Sequence, residues 1–597
     1  MHQTNRPFLG VSASVTARQW RDRLDLRAGQ TALAIAQRHQ VPDILARVLA
    51  GRGVEIDDVP AYLDPSIRAL LPDPSTLTDM DSAVERIAEA VCSGEQVAVF
   101  GDYDVDGATA TALIVEVLRA GGLDPLFHIP DRIFEGYGPN VGAIEQLAAK
   151  GVTLLVTVDC GTTSMEPLAA AARLGLDVVV IDHHQAGEIL PEAVAIVNPN
   201  REDDLSGLGH LCAAGLVFVT MVGLVRRLRE EGHWTTARPA PDLLAALDLV
   251  ALGTVADVVP LRGLNRAFVT KGLIALRRRG RLGLTALMDV ARLDGPPRPW
   301  HLGFLLGPRI NAGGRIGDAT LGTRLLLTDD PVDAKRIAAE LDRLNVERQE
   351  VERTILAAAE GEAMASVGLS DAGATVVVSG DGWHPGVVGL VASRLKERFN
   401  RPAFAIAFNG ETGTGSGRSV PGVDLGKAVR AAVEAGLLVK GGGHAMAAGL
   451  TVQREKLGDL RAYLEANLAA DVDSARSEGM LSIDGALTAS GATPALVDMI
   501  ARAGPFGAGN SEPVFAFPSH RLTYIEPFGA GHVRARFSAA DGSAVKAVAF
   551  RCAEEPLGRA LLGARGRTFH VAGSLDLDHW QGEARVSLRL RDAAVPG

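Results

Sequence analysis

Three short apolar runs in the first half of the chain each end on acid or imidazole side chains. Gln96-Val-Ala-Val-Phe100 leads into Gly101-Asp102-Tyr103-Asp104-Val105-Asp106-Gly107, Val152-Thr-Leu-Leu-Val-Thr-Val158 into Asp159-Cys160-Gly161, and Asp177-Val-Val-Val-Ile181 into Asp182-His183-His184. Runs of this length, β-branched and bounded by Gly and polar residues, read as buried strands of a parallel sheet. Open α/β sheets bind ligands just beyond the carboxyl ends of their strands. The pattern therefore predicts an α/β fold in which three strands deliver Asp and His side chains to one crevice, as a binuclear metal site requires.

Size and composition set the frame around that crevice. At 597 residues the chain exceeds what one core supports, so several domains are expected. A first segment, 1–75, reads as mostly helical, with Pro-marked turns. Residues 76–325 alternate strand and helix patterns. Within 326–368, apolar residues at Ile337, Leu341, Leu344, Val351, Ile355 and Ala358 recur every three or four positions, which predicts one amphipathic connector helix from Pro331 to about Met364. A second, smaller α/β lobe is expected over 369–470, with strands at Ala374–Ser379 and Pro402–Phe408. A β-rich tail follows within 471–597. No apolar stretch is long enough to span a membrane, and no signal peptide is recognisable. Cys92, Cys160, Cys212 and Cys552 are scattered without a CxxC pair, which suits a reducing cytoplasm. The net charge of −11 requires that any polyanion be held by local basic patches and metal ions.

The acids carry the chemistry. On an extended backbone, residues two apart face the same way, so Asp102, Asp104 and Asp106 can converge. Carboxylates so close repel unless a cation neutralises them. A plain acidic loop or a calcium site is the alternative, but an EF-hand needs Glu at its twelfth position, where Leu113 stands. Oxygen ligands with one imidazole suit manganese or magnesium better than zinc or copper. Leu252-Gly-Thr-Val-Ala-Asp257 adds a further acid at an expected helix end.

Taken together, these motifs resemble the DHH phosphoesterase superfamily, and their order over residues 75–597 is similar to that of RecJ-type single-strand-specific DNA exonucleases. Gly441-Gly-Gly-His444-Ala-Met-Ala-Ala-Gly449 matches the GGGH signature of the family's associated DHHA1 domain. The resemblance implies two α/β lobes (DHH and DHHA1) joined by a long helix and followed by an OB-like barrel. It implies that Asp104, Asp106, Asp159, His183 and Asp257 ligate two Mn²⁺ or Mg²⁺ ions, with Asp159 bridging. His184 would face the scissile phosphate, and Asp182 would orient a neighbour. Phe100 stands where many members of the superfamily have a histidine, and Asp102 is the candidate substitute. The implied activity is release of 5′-mononucleotides from the 5′ end of single-stranded DNA, in repair and recombination, with a single-strand-binding protein and a RecQ-type helicase as partners.

Further segments are candidates for placing the substrate. Gly307-Pro-Arg309-Ile-Asn311-Ala-Gly-Gly-Arg315 and Thr414-Gly-Ser416-Gly-Arg418-Ser419 read as glycine-rich loops that bring guanidinium and backbone groups to phosphate oxygens. By resemblance Ser416 and Arg418 hold the 5′-terminal phosphate. By resemblance the Trp383-His-Pro-Gly segment lines the single-strand path, with core packing the alternative for Trp383; His444 is a further candidate substrate residue, and base stacking or burial is open for Tyr137. Arg277-Arg-Arg-Gly-Arg281 reads equally as a DNA contact or a solvated helix end. In the tail, Arg585, Arg589 and Arg591 alternate with Val586, Leu588 and Leu590, placing one basic face on a strand of an OB-type barrel. A DHH phosphoesterase acting on short oligoribonucleotides, cyclic dinucleotides or polyphosphate would lack that tail, and a non-catalytic DNA-binding scaffold would lack the acids.

Overall fold

The computed structural model describes residues 6–367, 373–477, 479–580 and 583–597. They form two compact units, residues 70–477 and a second made of residues 1–69 with 478–597.

The larger unit is built on a five-stranded parallel sheet. Its spatial order is Leu126–His128, Val97–Phe100, Leu154–Val158, Asp177–Ile181, Ala195–Val197. Counted along the chain this is 2-1-3-4-5, so the order reverses between the first and third strands. That reversal opens a crevice at their carboxyl ends. Both strands are buried along their whole length, which is why they read as continuous apolar runs rather than alternating ones. The sheet thus puts Asp102–Asp106 and Asp159 side by side at the crevice.

A helix spans Pro331–Val367, 37 residues and so about 55 Å long. Ile337, Ala338, Leu341 and Leu344 are buried along its first half. Ile355, Ala359 and Ala363 enter the core of the second lobe with Val376, Val391 and Ala405. That lobe has a mixed sheet in the order Lys440–His444, Ala447–Gln453, Thr412–Arg418, Ala403–Asn409, Val376–Asp381, parallel only in its last pair.

Two segments read from sequence as glycine-rich loops are regular structure. Gly307–Ile316 is an α-helix, and Thr412–Arg418 is a central strand. In the strand, Gly413, Gly415 and Gly417 alternate onto the inner face, beneath Phe408, Ile406, Leu450 and Phe404. A side chain at any of the three would collide with that core. Their absence of side chains is a packing requirement and leaves Thr414, Ser416 and Arg418 on the opposite face.

In the smaller unit, Phe515–Phe528, His532–Ser538, Ala544–Ala549, Glu583–Ala594 and Thr568–Trp580 close on themselves where the first of these strands pairs with the last, Phe515 opposite Gly573 and Arg521 opposite Thr568. The result is a five-stranded barrel. The N-terminal segment has one strand beside its helices. Gln19–Asp22 is a strand paired in parallel with Met480–Ile483. Buried Trp20 donates its indole N–H to Asp592, 2.9 Å away on the last barrel strand. Ile35, Leu45 and Leu49 from the N-terminal helices share a core with Phe517, Phe537 and Phe569 of the barrel. No described helix is long and apolar enough to cross a membrane.

Candidate metal centre

Asp104 ends the first loop as the N-cap of the helix Val105–Ala120. Its Oδ1 accepts from the backbone N–H groups of Asp106 (2.9 Å) and Gly107 (3.1 Å). Gly107 has to be glycine, because a Cβ there would stand 2.5 Å from the Asp102 carbonyl oxygen. The turn so formed aims Asp102, Asp104 and Asp106 into the crevice. Asp106 is held from outside by the N-terminus of Ala213–Glu230, accepting from Ala213 N–H (2.6 Å) and Ala214 N–H (3.0 Å).

Asp159 leaves its strand with φ of +62°, a left-handed conformation uncommon for a residue with a side chain. The following Gly161 has φ of +114° and no room for a Cβ, which would meet Thr157 Oγ1 at 2.5 Å. Asp182 turns back on its own loop. Its Oδ1 accepts from His183 N–H (2.7 Å) and contacts His184 Nδ1 (2.8 Å), and its Oδ2 accepts from Thr162 N–H (3.1 Å). Asp257 caps the C-terminal end of Leu247–Ala256.

These elements converge. Ligand atoms of Asp102, Asp104 and Asp159 lie within 4.8 Å of one another, as do those of Asp106, His183 and Asp257, and those of Asp159, His183 and His184. His183 Nε2 stands 3.2 Å from Asp159, 3.7 Å from Asp257 and 3.9 Å from Asp106. Asp159 and His183 thus link two groups of acids.

Burial pushes the carboxyls of Asp102, Asp159 and Asp257 well up, and neighbouring carboxylates add to the effect. Asp106 is raised to about 6 by the same causes. Burial, with His184 beside it, lowers His183 to about 4, which keeps its ring neutral as a metal ligand needs. Burial works against the charged forms of both Asp182 and His184, yet their mutual contact wins. Asp182 is held far below the carboxylate range and His184 is raised. Among the described residues, the buried Asp102 Oδ1 has no hydrogen-bond partner. Acids packed this closely, with an orphaned oxygen and a neutral imidazole, fit a pair of hard divalent cations. Phe100 is fully buried, 4.9 Å from the His128 ring, in the sheet's interior.

Sequence reasoning missed the residues that hold this set in place. Asn200 Nδ2 donates to the His183 carbonyl, and Asn198 Nδ2 donates to the His184 carbonyl at 2.8 Å and to Thr162 Oγ1 at 2.8 Å. Asn198-Pro-Asn200 follows the strand Ala195–Val197, so the strand-end pattern was present a fourth time, with amides in place of acids. Gly253, inside the segment that carries Asp257, lies directly against Asp106.

The candidate substrate residues fall into three sets. Arg315, Ser416 and Arg418 are brought together. Arg315 donates to the Gly386 carbonyl (2.9 Å), and Arg418 donates to Ser416 Oγ (2.8 Å). Burial lowers Arg315 to about 10, and Arg132, Arg348 and Arg418 add to the shift. Burial, then Arg132, lowers Arg418 as well. Among the described residues, Arg132, Arg315 and Arg418 have no carboxylate within ion-pair distance. Such a cluster is set for an anion.

Tyr137 hydrogen-bonds the Asp159 carbonyl (3.0 Å) and His184 Nδ1 (3.0 Å), with its ring edge-on to His184. His444 stacks on His184 at 6.1 Å across a cavity of about 790 Å³ lined by Tyr137, Asp182, Asp424 and Arg430. Three residues are engaged elsewhere. Arg309 pairs with Asp342 of the connector helix (2.9 Å), and Asn311 Oδ1 accepts from Val105 N–H (3.1 Å). Trp383 folds over Gly380, half-buried against the second lobe's core. In the basic run 277–281, Arg281 is bound by Glu116 and Asp248, and Arg279 by Asp289. On the barrel, Arg589 and Arg591 both reach Glu512 at 3.2 Å.

Fold and site define a DHH-type protein. Residues 96–254 match the family model described as DHH family, N-terminal domain, residues 372–470 the DHHA1 domain and residues 483–592 the RecJ OB domain. The single-stranded-DNA-specific exonuclease RecJ of Dickeya dadantii (strain 3937) is 38% identical over 515 residues, covering 82% of this chain and 88% of that protein. RecJ of Escherichia coli (strain K12) is 36% identical over the same shares. The crystal structure of RecJ in complex with Mn²⁺ from Thermus thermophilus superposes with a TM-score of 0.78 at 29% identity, over 95% of this chain and 78% of that one. The chain belongs to the RecJ family of single-stranded-DNA-specific exonucleases.

Proposed function

We propose that this protein is a divalent-metal-dependent exonuclease that hydrolyses single-stranded DNA from its 5′ end and releases 5′-mononucleotides. The observation that carries this reading is the convergence of Asp102, Asp104, Asp106, Asp159, His183 and Asp257 at the carboxyl ends of one sheet. Asp104, Asp106, Asp159, His183 and Asp257 would hold two Mn²⁺ or Mg²⁺ ions, Asp159 touching both, with Asp102 in the place left by Phe100. Such a pair supplies charge stabilisation for the attacking and leaving oxygens of a phosphodiester.

The chain's own groups do the rest. His184, oriented by its contact with Asp182, which also raises its pKa, faces the scissile phosphate. Arg132, Arg315, Arg418 and Ser416 receive the terminal phosphate, which sets polarity from the 5′ end. Arg309 and Asn311 act as positioning residues, through Asp342 and Val105. Catalysis belongs to residues 76–325, and substrate capture is shared between that segment, through Arg132 and Arg315, and 369–470, through Ser416 and Arg418. The barrel within 471–597 adds single-strand affinity. The reading places the enzyme in the cytoplasm, in repair and recombination, where a RecQ-type helicase supplies single strands and a single-strand-binding protein covers them.

Digestion of 5′-labelled single-stranded DNA with Mn²⁺, and again with chelator, tests this. Labelled mononucleotide is expected only with metal. Absence of product under both conditions, or consumption of dinucleotides alone, would refute it.

A further inference from the structure

The helix Gly307–Ile316 continues backwards through a π-helical turn, Leu302–Leu306, to Pro299–His301. Single π turns cluster at functional sites. This one is firmly seated, since Leu302 and Leu306 are fully buried. A Cβ on Gly303 would touch Val255 at 3.4 Å, and one on Gly307 would touch Ala256 at 3.6 Å. The turn therefore lies against the last residues before Asp257. Yet Phe304 is 80% exposed and Trp300, one turn earlier, is 50% exposed.

Residues 304, 308, 311 and 315 recur every three or four positions and share a face of this helical stretch. Asn311 on that face receives Val105 N–H, next to Asp104. Arg315 on that face lies in the arginine cluster with Arg418. The face therefore runs past the acids, with the anion pocket at one end and Phe304 at the other. Aromatic rings left in water beside a phosphodiester site are the groups on which single-stranded nucleic acid stacks its bases.

We propose that Phe304, with Trp300 behind it, is a stacking platform for nucleobases on the 3′ side of the scissile phosphodiester. The proposal rests on the exonuclease reading above and names the group that grips the strand as it enters. It also explains why a large apolar side chain stays exposed on a segment otherwise locked into the core.

The test couples a base to the ring. In an Asp159→Ala chain, expected to bind without cutting, the affinity for 5′-phosphorylated oligothymidylate is measured with a single abasic site moved along the second to sixth positions. One or two positions should weaken binding about tenfold, the worth of one base stack. Phe304→Ala should weaken the intact strand by a similar factor and lose all sensitivity to the abasic site there, and Phe304→Trp should restore both. Losses that simply multiply, or no loss at any position, overturn the platform. Nuclease activity of the unmutated chain is assayed alongside. Cleavage without coupling sinks the platform alone, whereas coupling without cleavage sinks the exonuclease reading and leaves the platform standing.

Discussion

Gly253 lies against Asp106 so closely that a Cβ on the glycine would stand 2.5 Å from Asp106 Oδ1 and 2.9 Å from Ala214 Cβ. The helix carrying Asp257 can thus approach the helix carrying Asp106 only because one contact residue has no side chain. Both acids belong to the same candidate metal group with His183. Gly253→Ala should force them apart, at about 1–3 kcal/mol of stability. Mn²⁺ titration calorimetry on the variant should show weakened binding, with a lowered Tm. Unchanged values of both would mean that the helices shift freely.

The two amides of Asn198 and Asn200 hold the carbonyls of His184 and His183. Groups that orient ligands in this way typically account for about 10–100-fold in metal affinity or activity. Asn200→Ala should lose that much nuclease activity while retaining the anion pocket of Arg132, Arg315 and Arg418. Phosphate-dependent binding of single strands reports on the pocket. Full activity in Asn200→Ala would show that the imidazoles need no such clamp.

Asp159 is the acid shared between groups and the one held at positive φ. Asp159→Ala should abolish turnover and leave single-strand affinity close to that of the parent chain, measured by anisotropy. Asp159→Gly relieves the backbone but removes the carboxylate, so it should be equally inactive and more stable than Asp159→Ala. Residual nuclease activity in either would refute the shared-ligand role.

Much of this centre is readable in sequence because its parts sit at strand ends. The apolar run announces the strand, and the polar residue after it has nowhere to point but the crevice. The connector helix is equally legible, since Ile337, Leu341 and Leu344 keep one period over many turns. Glycine-rich segments mislead. A Cβ on Gly314 would stand 2.5 Å from the Tyr103 carbonyl oxygen, so this glycine marks close packing of a helix, where propensity alone predicts a loop. Arg309 and Asn311 likewise look like phosphate contacts by type, but their partners, Asp342 and Val105, are set by tertiary placement. The strand Gln19–Asp22 pairs with residues at 480–483, a separation that leaves no local signal.

Arg281 shows the same limit for charge runs. Its guanidinium is bound by Glu116, by Asp248 at 3.1 Å and by the Leu326 carbonyl at 3.0 Å. Burial raises the Asp248 carboxyl even with Arg281 beside it. Arg281→Ala would strand that carboxylate, at about 3–5 kcal/mol for a broken buried pair. Urea denaturation should register the loss, while single-strand affinity at a temperature where the variant is folded stays the same. A selective fall in affinity with unchanged stability would make Arg281 a DNA contact after all.

The last prediction concerns protons and metal together. In the metal-free protein Asp102, Asp106, Asp159 and Asp257 all titrate above their unfolded values near 4, with Asp106 near 6. Between those limits the folded state binds more protons than the unfolded one, so these four groups stabilise the fold at low pH and lose that contribution as pH rises. His183, lowered to about 4, acts in the opposite sense over pH 4 to 6.5, but it is one group against four. Bound divalent ions require the carboxylates ionised, so metal competes with protons and its affinity climbs through pH 6. The gap between Tm with saturating Mn²⁺ and Tm with chelator should therefore widen from pH 5 to pH 7.5, because ion pairs elsewhere titrate alike in both conditions. Calorimetric titration in buffers of different ionisation enthalpy should show net proton release on Mn²⁺ binding at pH 6. A gap that stays constant, with no proton released, would mean that these acids are already ionised without metal and that their crowding is relieved some other way.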